Sequence, residues 1–264
     1  MQRVIVRFLK VLAGIIVVLI LGAFIFCVTV SDRYVVPIIT YHSVDNTPNY
    51  LCPTVKVENF RRHMEFLKSK GFHIVTLDEL VKGIREGKSL PRKSVVIAFD
   101  DGMDDNYAIA YPILKEYQFP AVMFVSSHFI GKDGYLTWNQ LREMAKNGIT
   151  IGSHSRYHKH IPDLTVEEQQ QEIFESKKML EEKLGIPVDY IAYPFGGFSD
   201  HIKDLVKAAG YKGACTTNRG RDRFNHDPYE LNRIRMSDRR YGDFDLWLRF
   251  SGYYNFFRTL ANPH

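Results

Sequence analysis

Two carboxylates stand side by side at Asp100 and Asp101, just ahead of Gly102, and two imidazoles stand four residues apart at His154 and His158. Alone, each group is weak. Asp-Gly after a strand is ordinary turn chemistry, and a chain with 10 histidines can hold a His pair at this spacing by coincidence. Together they contain the parts of a hydrolytic metal centre: two His and one Asp make a three-ligand site with positions left for water and substrate. Adjacent side chains at a strand end point to different sides, so one of the two carboxylates can bind a cation while the other stands over the cation's water. His154 and His158 reach one ion if the chain turns helically after His154.

These residues need a scaffold that brings them to one place. Apolar, β-rich runs recur at 35–41, 72–76, 94–100, 120–125, 148–154, 189–194, 211–217 and 231–236. Most do not alternate with polar residues, as expected of strands covered on both faces. Helical patterns lie between them. Thr76 with Glu79, Thr137 with Gln140 and Thr165 with Glu168 each fit a capping box, and the helix from about 165 to 184 ends at Gly185 with Pro187 beyond. Seven or eight strand-helix alternations in a chain of 264 residues predict a parallel α/β barrel. Chemistry in such folds sits beyond the carboxyl ends of the strands. Those ends carry His42, Asp100 with Asp101, His154 with His158 beyond, and Pro194, Phe195 and Gly196.

Composition narrows the class. An apolar content of 45% and a charged content of 25% exclude disorder. Arg3, Arg7 and Lys10 are the only charges ahead of Asp32, so removing these three from 35 basic residues leaves 32 against 30 acidic ones. The body is nearly neutral, and nucleic-acid binding loses its main support. Residues 11–30 hold no charge; at about 1.5 Å per helical residue they span roughly 30 Å, the thickness of a bilayer's hydrocarbon core. The reading is a basic cytoplasmic flank over 1–10, an uncleaved transmembrane anchor over 11–30, and an extracytoplasmic domain over 32–264. A cleaved signal peptide is the competitor; its apolar run is usually about 7 to 15 residues, and Val28, Thr29, Val30 and Ser31 make a poor cleavage site. Cys27 lies inside the apolar run, so Cys52 and Cys215 are the one pair left for an intrachain bridge, and this is not a disulfide scaffold.

Taken in order, AFDDG (98–102), HSRYH (154–158) and AYPFG (192–196) resemble the first three motifs of the polysaccharide deacetylases, carbohydrate esterase family four, over roughly 35–240. The resemblance implies a distorted (β/α)7 barrel forming a single domain. It also implies a divalent metal held by Asp101, His154 and His158, with zinc favoured over cobalt, manganese or nickel. Asp100 becomes the catalytic base, and the backbone N–H of Phe195 the donor to the developing oxyanion. The substrate is then an N-acetylated, sometimes O-acetylated, poly- or oligosaccharide of the cell surface or wall. With the uncharged run and the near-neutral body, the expectation is a membrane-tethered monomer that does not bind nucleic acid. Two departures stand out. The third motif usually has an Arg two residues before its Pro, where this chain has Ala192, and no late Leu-x-His motif supplies a general acid. A subgroup resembling exported poly-N-acetylglucosamine deacetylases has Tyr-His early in the barrel, matching Tyr41 and His42, which assigns the acid to His42 with His226 second. Arg233 is the candidate to replace the missing Arg. His160 reads as a surface residue, Trp138 as a packing aromatic, and the ring-rich tail as a last helix against the barrel. An O-acetyl esterase with the same metal site, and a glycan-binding pseudoenzyme, are the alternatives.

The anchor is testable on intact cells, where protease shaving is expected to release a fragment near the size of residues 32–264. Mature protein beginning near Ser31 in the medium would overturn the anchor, and protection from the protease would overturn the orientation.

Overall fold

A computed structural model describes Lys10, Leu12 and residues 14–22, 34–217 and 220–258. The chain divides into two units, Met1–Val35 and Val36–His264. In the first, Lys10, Leu12 and residues 14–22 are helical. Among the described residues no helix is long and apolar enough to cross a membrane; the rest of the span predicted over 11–30, and all but Lys10 of the flank over 1–10, lie outside the described residues.

The second unit is a parallel, nearly closed barrel. Its strands are β1 (Ile38–Tyr41), β2 (Ser43–Val44), β3 (Thr54–Val55), β4 (His73–Ile74), β5 (Ser94–Phe99), β6 (Ala121–Val125), β7 (Ile149–Ser153), β8 (Tyr190–Ala192), β9 (Gly213–Cys215) and β10 (Arg233–Arg235). Seven of them follow one another in the order β10-β1-β5-β6-β7-β8-β9, with every pairing parallel. The seam between β9 and β10 is closed by the approach to β10: Leu231 N–H donates to Ala214 at 2.9 Å, Thr216 N–H to Leu231 at 2.8 Å, and Arg233 N–H to Thr217 at 2.9 Å. The two short strands β2 and β3 pair with each other, and β4 adds to the start of β5. The expected (β/α)7 barrel is therefore present, with its irregularity at the seam and at β4.

Helices form where their start signals stand. Thr76, Thr137 and Thr165 each accept the backbone N–H of the residue three positions on, and Glu79, Gln140 and Glu168 answer with their side chains. A cap of this kind is worth about 1 kcal/mol. The helix predicted over 165–184 runs as Val166–Gln170 and Ser176–Leu184 around a π segment, Gln171–Glu175, and ends at left-handed Gly185.

Strand parity divides the interior into two layers. Val95, Ile97 and Phe99 of β5, Ala121, Met123 and Val125 of β6, and Ile149 and Ile151 of β7 belong to one apolar cluster with helix residues such as Met64, Leu114, Leu141, Leu180 and Val206. The residues between them, Val96, Ala98, Val122 and Phe124, are also buried but stand outside that cluster. Side chains alternate across a strand, so this second set fills the barrel itself. Gly152 belongs to it: a Cβ there would stand 2.5 Å from the Phe124 ring, so the glycine makes room for the aromatic at the barrel's centre.

Candidate active site

Counting outward along the barrel-facing parity gives the site. Ile38 and Thr40 lead to His42, Val96 and Ala98 to Asp100, and Thr150 and Gly152 to His154. Pairing of Ile38 with Arg233 puts Arg233 on the same inner face. All four side chains line one cleft of ≈ 610 Å³, together with Asp101, His158, Phe195 and residues of the segments around Cys52 and Arg258.

Asp100 is 3% exposed and accepts Nη1 of Arg233 at 2.6 Å. Arg233 is itself held by Nε donating to the Thr216 carbonyl at 2.9 Å, with its guanidinium over the Phe124 ring. Burial alone would raise the Asp100 carboxyl; Arg233, then His154 and His42, outweigh it and hold the group below the usual carboxylate value. Nε2 of His42 lies 4.0 Å from Asp100 Oδ2, and its buried Nδ1 has no hydrogen-bond partner among the described residues. A buried network fixes the His42 loop. Asn106 Nδ2 donates to the His42 carbonyl at 2.7 Å, and Asp105 accepts Ser43 Oγ at 2.6 Å and the Val44 N–H at 3.0 Å.

Alternation would send Asp101 away from Asp100. A left-handed φ of 69° turns it back, so both carboxylates line the same cleft. Two more left-handed residues, Ser155 at 62° and His158 at 57°, coil the chain after β7. The expected helical turn is therefore absent: residues 154–160 are irregular, and tight left-handed bends bring the two rings to 4.8 Å. Buried Glu172, on the π segment, holds this loop by accepting the N–H groups of Arg156 at 2.9 Å and Tyr157 at 2.8 Å. Non-glycine residues with positive φ cost about 1–3 kcal/mol each and gather at functional sites.

Donor atoms of Asp101, His154 and His158 all lie within 4.8 Å of one another. Nδ1 of His154 faces the Ala192 carbonyl at 2.7 Å, an arrangement that makes it the donor and leaves Nε2 free to ligate. Burial pushes the His154 imidazole down to about 4, in spite of the neighbouring carboxylates, so it is neutral. Burial would raise the Asp101 carboxyl, but its hydrogen bond to His158 and the surrounding imidazoles of His154, His42 and His158 outweigh it and hold the group at about 2. A carboxylate and two imidazoles with their ligand atoms this close together, His154 with its Nε2 left free, are a donor set that a divalent cation takes, so the residues fit a metal.

The other candidates fall out as follows. Phe195 stands at the rim, 56% exposed, with φ 57° and its ring 4.8 Å from that of His158. Gly196 after it leaves no space for a Cβ, which would meet Thr217 Oγ1 at 2.3 Å. His160 is half-buried against Gly197 and pairs with Asp163 at 2.9 Å, more enclosed than the surface residue expected, and it does not line the cleft. His226, the second choice for an acid, is exposed, pairs with Asp222 and stands off the cleft. Trp138 packs on the helix-strand cluster, as expected of a packing aromatic. The ring-rich tail forms two helices rather than one: Asp243–Phe250 buries Leu246 and Phe250 but leaves Phe244 and Trp247 stacked and exposed, and a short helix, Tyr254–Phe257, follows. Cys52 and Cys215 are both free. Sequence reading missed Glu172, Asp105 and Asn106; each acts through backbone groups far along the chain, and only their burial as polar residues distinguishes them.

Comparison with known proteins points to one family. A family model described as polysaccharide deacetylase matches residues 87–214. The polysaccharide-deacetylase homologue YxkH of Bacillus subtilis (strain 168) is 34% identical over 201 residues, 76% of this chain and 71% of that protein. A poly-β-1,6-N-acetyl-D-glucosamine N-deacetylase of Staphylococcus aureus (strain MRSA252) is 28% identical over 199 residues, 70% of this chain and 68% of that one. Among solved structures, the Streptococcus pyogenes deacetylase PplD, in complex with acetate, gives a TM-score of 0.75 at 27% identity over 81% of this chain and 97% of that chain. IcaB from Ammonifex degensii shares the fold, with a TM-score of 0.71 at 22% identity over 84% and 97%.

The Arg233–Asp100 pair yields a prediction. Removing one partner of a buried ion pair costs about 3–5 kcal/mol, so R233M is expected to lose stability on that scale near neutral pH in denaturant unfolding. The depressed carboxyl of Asp100 contributes stability above the ordinary carboxylate range, and this is lost as pH falls below it; in the variant, protonation instead relieves an orphaned charge. The gap between wild type and R233M should therefore narrow with acidification, and a gap independent of pH would assign the loss to packing alone.

Proposed function

Since the chain belongs to the polysaccharide deacetylase family, we propose that its cleft is the active site of a metal-dependent hydrolase removing N-acetyl groups from an N-acetylglucosamine-containing glycan of the cell surface or wall. The observation that carries the reading is the division of labour between neighbouring carboxylates: Asp100 is locked on Arg233, while Asp101 faces His154 and His158. A binding module has no need of the first.

Asp101, His154 and His158 would hold the cation, zinc in preference to cobalt, manganese or nickel. Such an ion polarises an acetyl carbonyl and lowers the pKa of a water from about 15.7 to about 7. Asp100 takes the proton of the attacking water, and Arg233 keeps that carboxylate ionised and aimed. Negative charge growing on the acetyl oxygen is met by the backbone N–H of Phe195 at the rim. The sugar amine must leave protonated, and His42, 4.0 Å from Asp100, supplies that proton. The uncharged run over 11–30 supports a single-pass membrane anchor, with the domain over 32–264 outside the cytoplasm.

Acetate release by the full chain from N-acetylglucosamine oligomers, peptidoglycan and O-acetyl xylan, with and without added metal, tests the activity. Metal content separates the carboxylates: D101A, H154A and H158A are expected to lose the ion, and D100N to retain it but lose turnover. An empty D100N, or a fully loaded D101A, would reverse the roles. His42 is tested by leaving-group chemistry, because an alcohol departs with less help than an amine. H42A should slow amide hydrolysis by about 10²- to 10⁴-fold and ester hydrolysis much less; equal loss on both substrates, in a variant with unchanged melting, would remove His42 from the acid's role.

A further inference from the structure

Four arginines and two aspartates line the cleft. Arg233 is neutralised by Asp100. Its neighbours on the same wall, Arg235, Arg249 and Arg258, have no carboxylate within ion-pair distance among the described residues. This is local, because the body beyond residue 31 is close to neutral.

Arg258 rests Nη1 on the carbonyl of Arg233 at 2.8 Å, while its Nε and Nη2 are buried without a hydrogen-bond partner among the described residues. Burial pushes the group down to about 10; Tyr254 opposes the shift, and the charges of Arg223 and Arg249 add to it. Arg249 lies over two aromatic rings, its guanidinium carbon 4.6 Å from the Tyr241 centroid and 5.0 Å from that of Tyr254. Stacking fixes the plane of a guanidinium while its edge N–H groups stay available. Arg235 is exposed at the end of β10. An uncompensated buried cation beside further cations is costly, and cations lining a low-dielectric cleft focus a field that draws an anion to it. Arg258 supplies the field, and Arg249 and Arg235 supply the donors.

We propose that this wall is a subsite for an oxyanion substituent, a carboxylate or a phosphate, carried by the glycan beside the acetylated sugar, so that the preferred substrate is an anionic acetylated glycan rather than a neutral homopolymer. The proposal rests on the reading of the cleft as a glycan deacetylase site. The subsite adjoins the reacting centre through a single residue, since Arg258 holds the backbone of Arg233 and Arg233 holds Asp100. Guanidinium forks match the paired oxygens of carboxylate and phosphate alike.

Calorimetric binding to the full chain in a neutral detergent tests it without turnover. The probes are a neutral N-acetylglucosamine tetrasaccharide, a tetrasaccharide alternating N-acetylglucosamine with N-acetylmuramic acid, an N-acetylglucosamine oligosaccharide bearing a 6-phosphate, and acetate alone. At least one anionic oligosaccharide is expected to bind about 10-fold or more tighter than the neutral one at low salt, its identity naming the source of the oxyanion. The preference should shrink as salt rises, and the anionic-to-neutral ratio should fall several-fold in R249Q and R258Q; R235Q serves if R258Q does not fold. A ratio near one in the wild type, a ratio unchanged in the folded variants, or acetate displacing the anionic probes as well as a whole oligosaccharide would each overturn the subsite. Binding that shows the preference in a chain releasing no acetate would keep the subsite and sink the deacetylase reading. Acetate release with no such preference would do the reverse.

Discussion

The contact between Arg233 and Asp100 is the constraint on which the mouth of the barrel depends. A carboxylate 3% exposed at the end of β5 cannot stay ionised in an apolar barrel without a counter-charge. That counter-charge comes from β10, two places along the sheet, because Ile38 of β1 pairs with both Val96 and Arg233 and so sets the two strands in register. Arg233 in turn needs the Thr216 carbonyl at the seam and the face of Phe124, for which Gly152 leaves room. Strand register, seam closure and the lack of a side chain at Gly152 all converge on one protonation state.

Around this pair the backbone departs from regularity where the chemistry requires it. A strand presents one side chain to the barrel and the next to the helices. Bringing Asp101 beside Asp100, and His158 back to His154, requires the chain to double on itself within one or two residues, and left-handed conformations at Asp101, Ser155 and His158 do so. The cost is offset by buried hydrogen bonds from Glu172 to the loop after β7, and by Asp105 and Asn106 at the His42 loop.

The barrel was legible because its strands are short apolar runs bounded by threonine caps and glycine stops, and parity along them already separates Asp100, His154 and His42 from their neighbours. The motifs at 98–102, 154–158 and 192–196 named the family and the cluster of Asp101, His154 and His158. Arg233 could be nominated because the usual Arg position holds Ala192, but its contact with Asp100 depends on a register that no local pattern encodes. Glu172 was hidden for a related reason: it looks like one more acidic residue on a polar helix, and its burial within the π segment depends on the loop it holds. The left-handed bends were illegible because Asp, Ser and His carry no glycine to announce them.

The seam has a consequence for how the protein comes into being. Strands β1 and β5 to β8 can assemble as soon as residue 192 has emerged, but the partner of Asp100 is 41 residues further on. Until that last strand docks against β1, the cleft lacks one wall and its central carboxylate is unpaired. In a partly synthesised chain that centre is therefore incomplete until the two ends of the sheet meet.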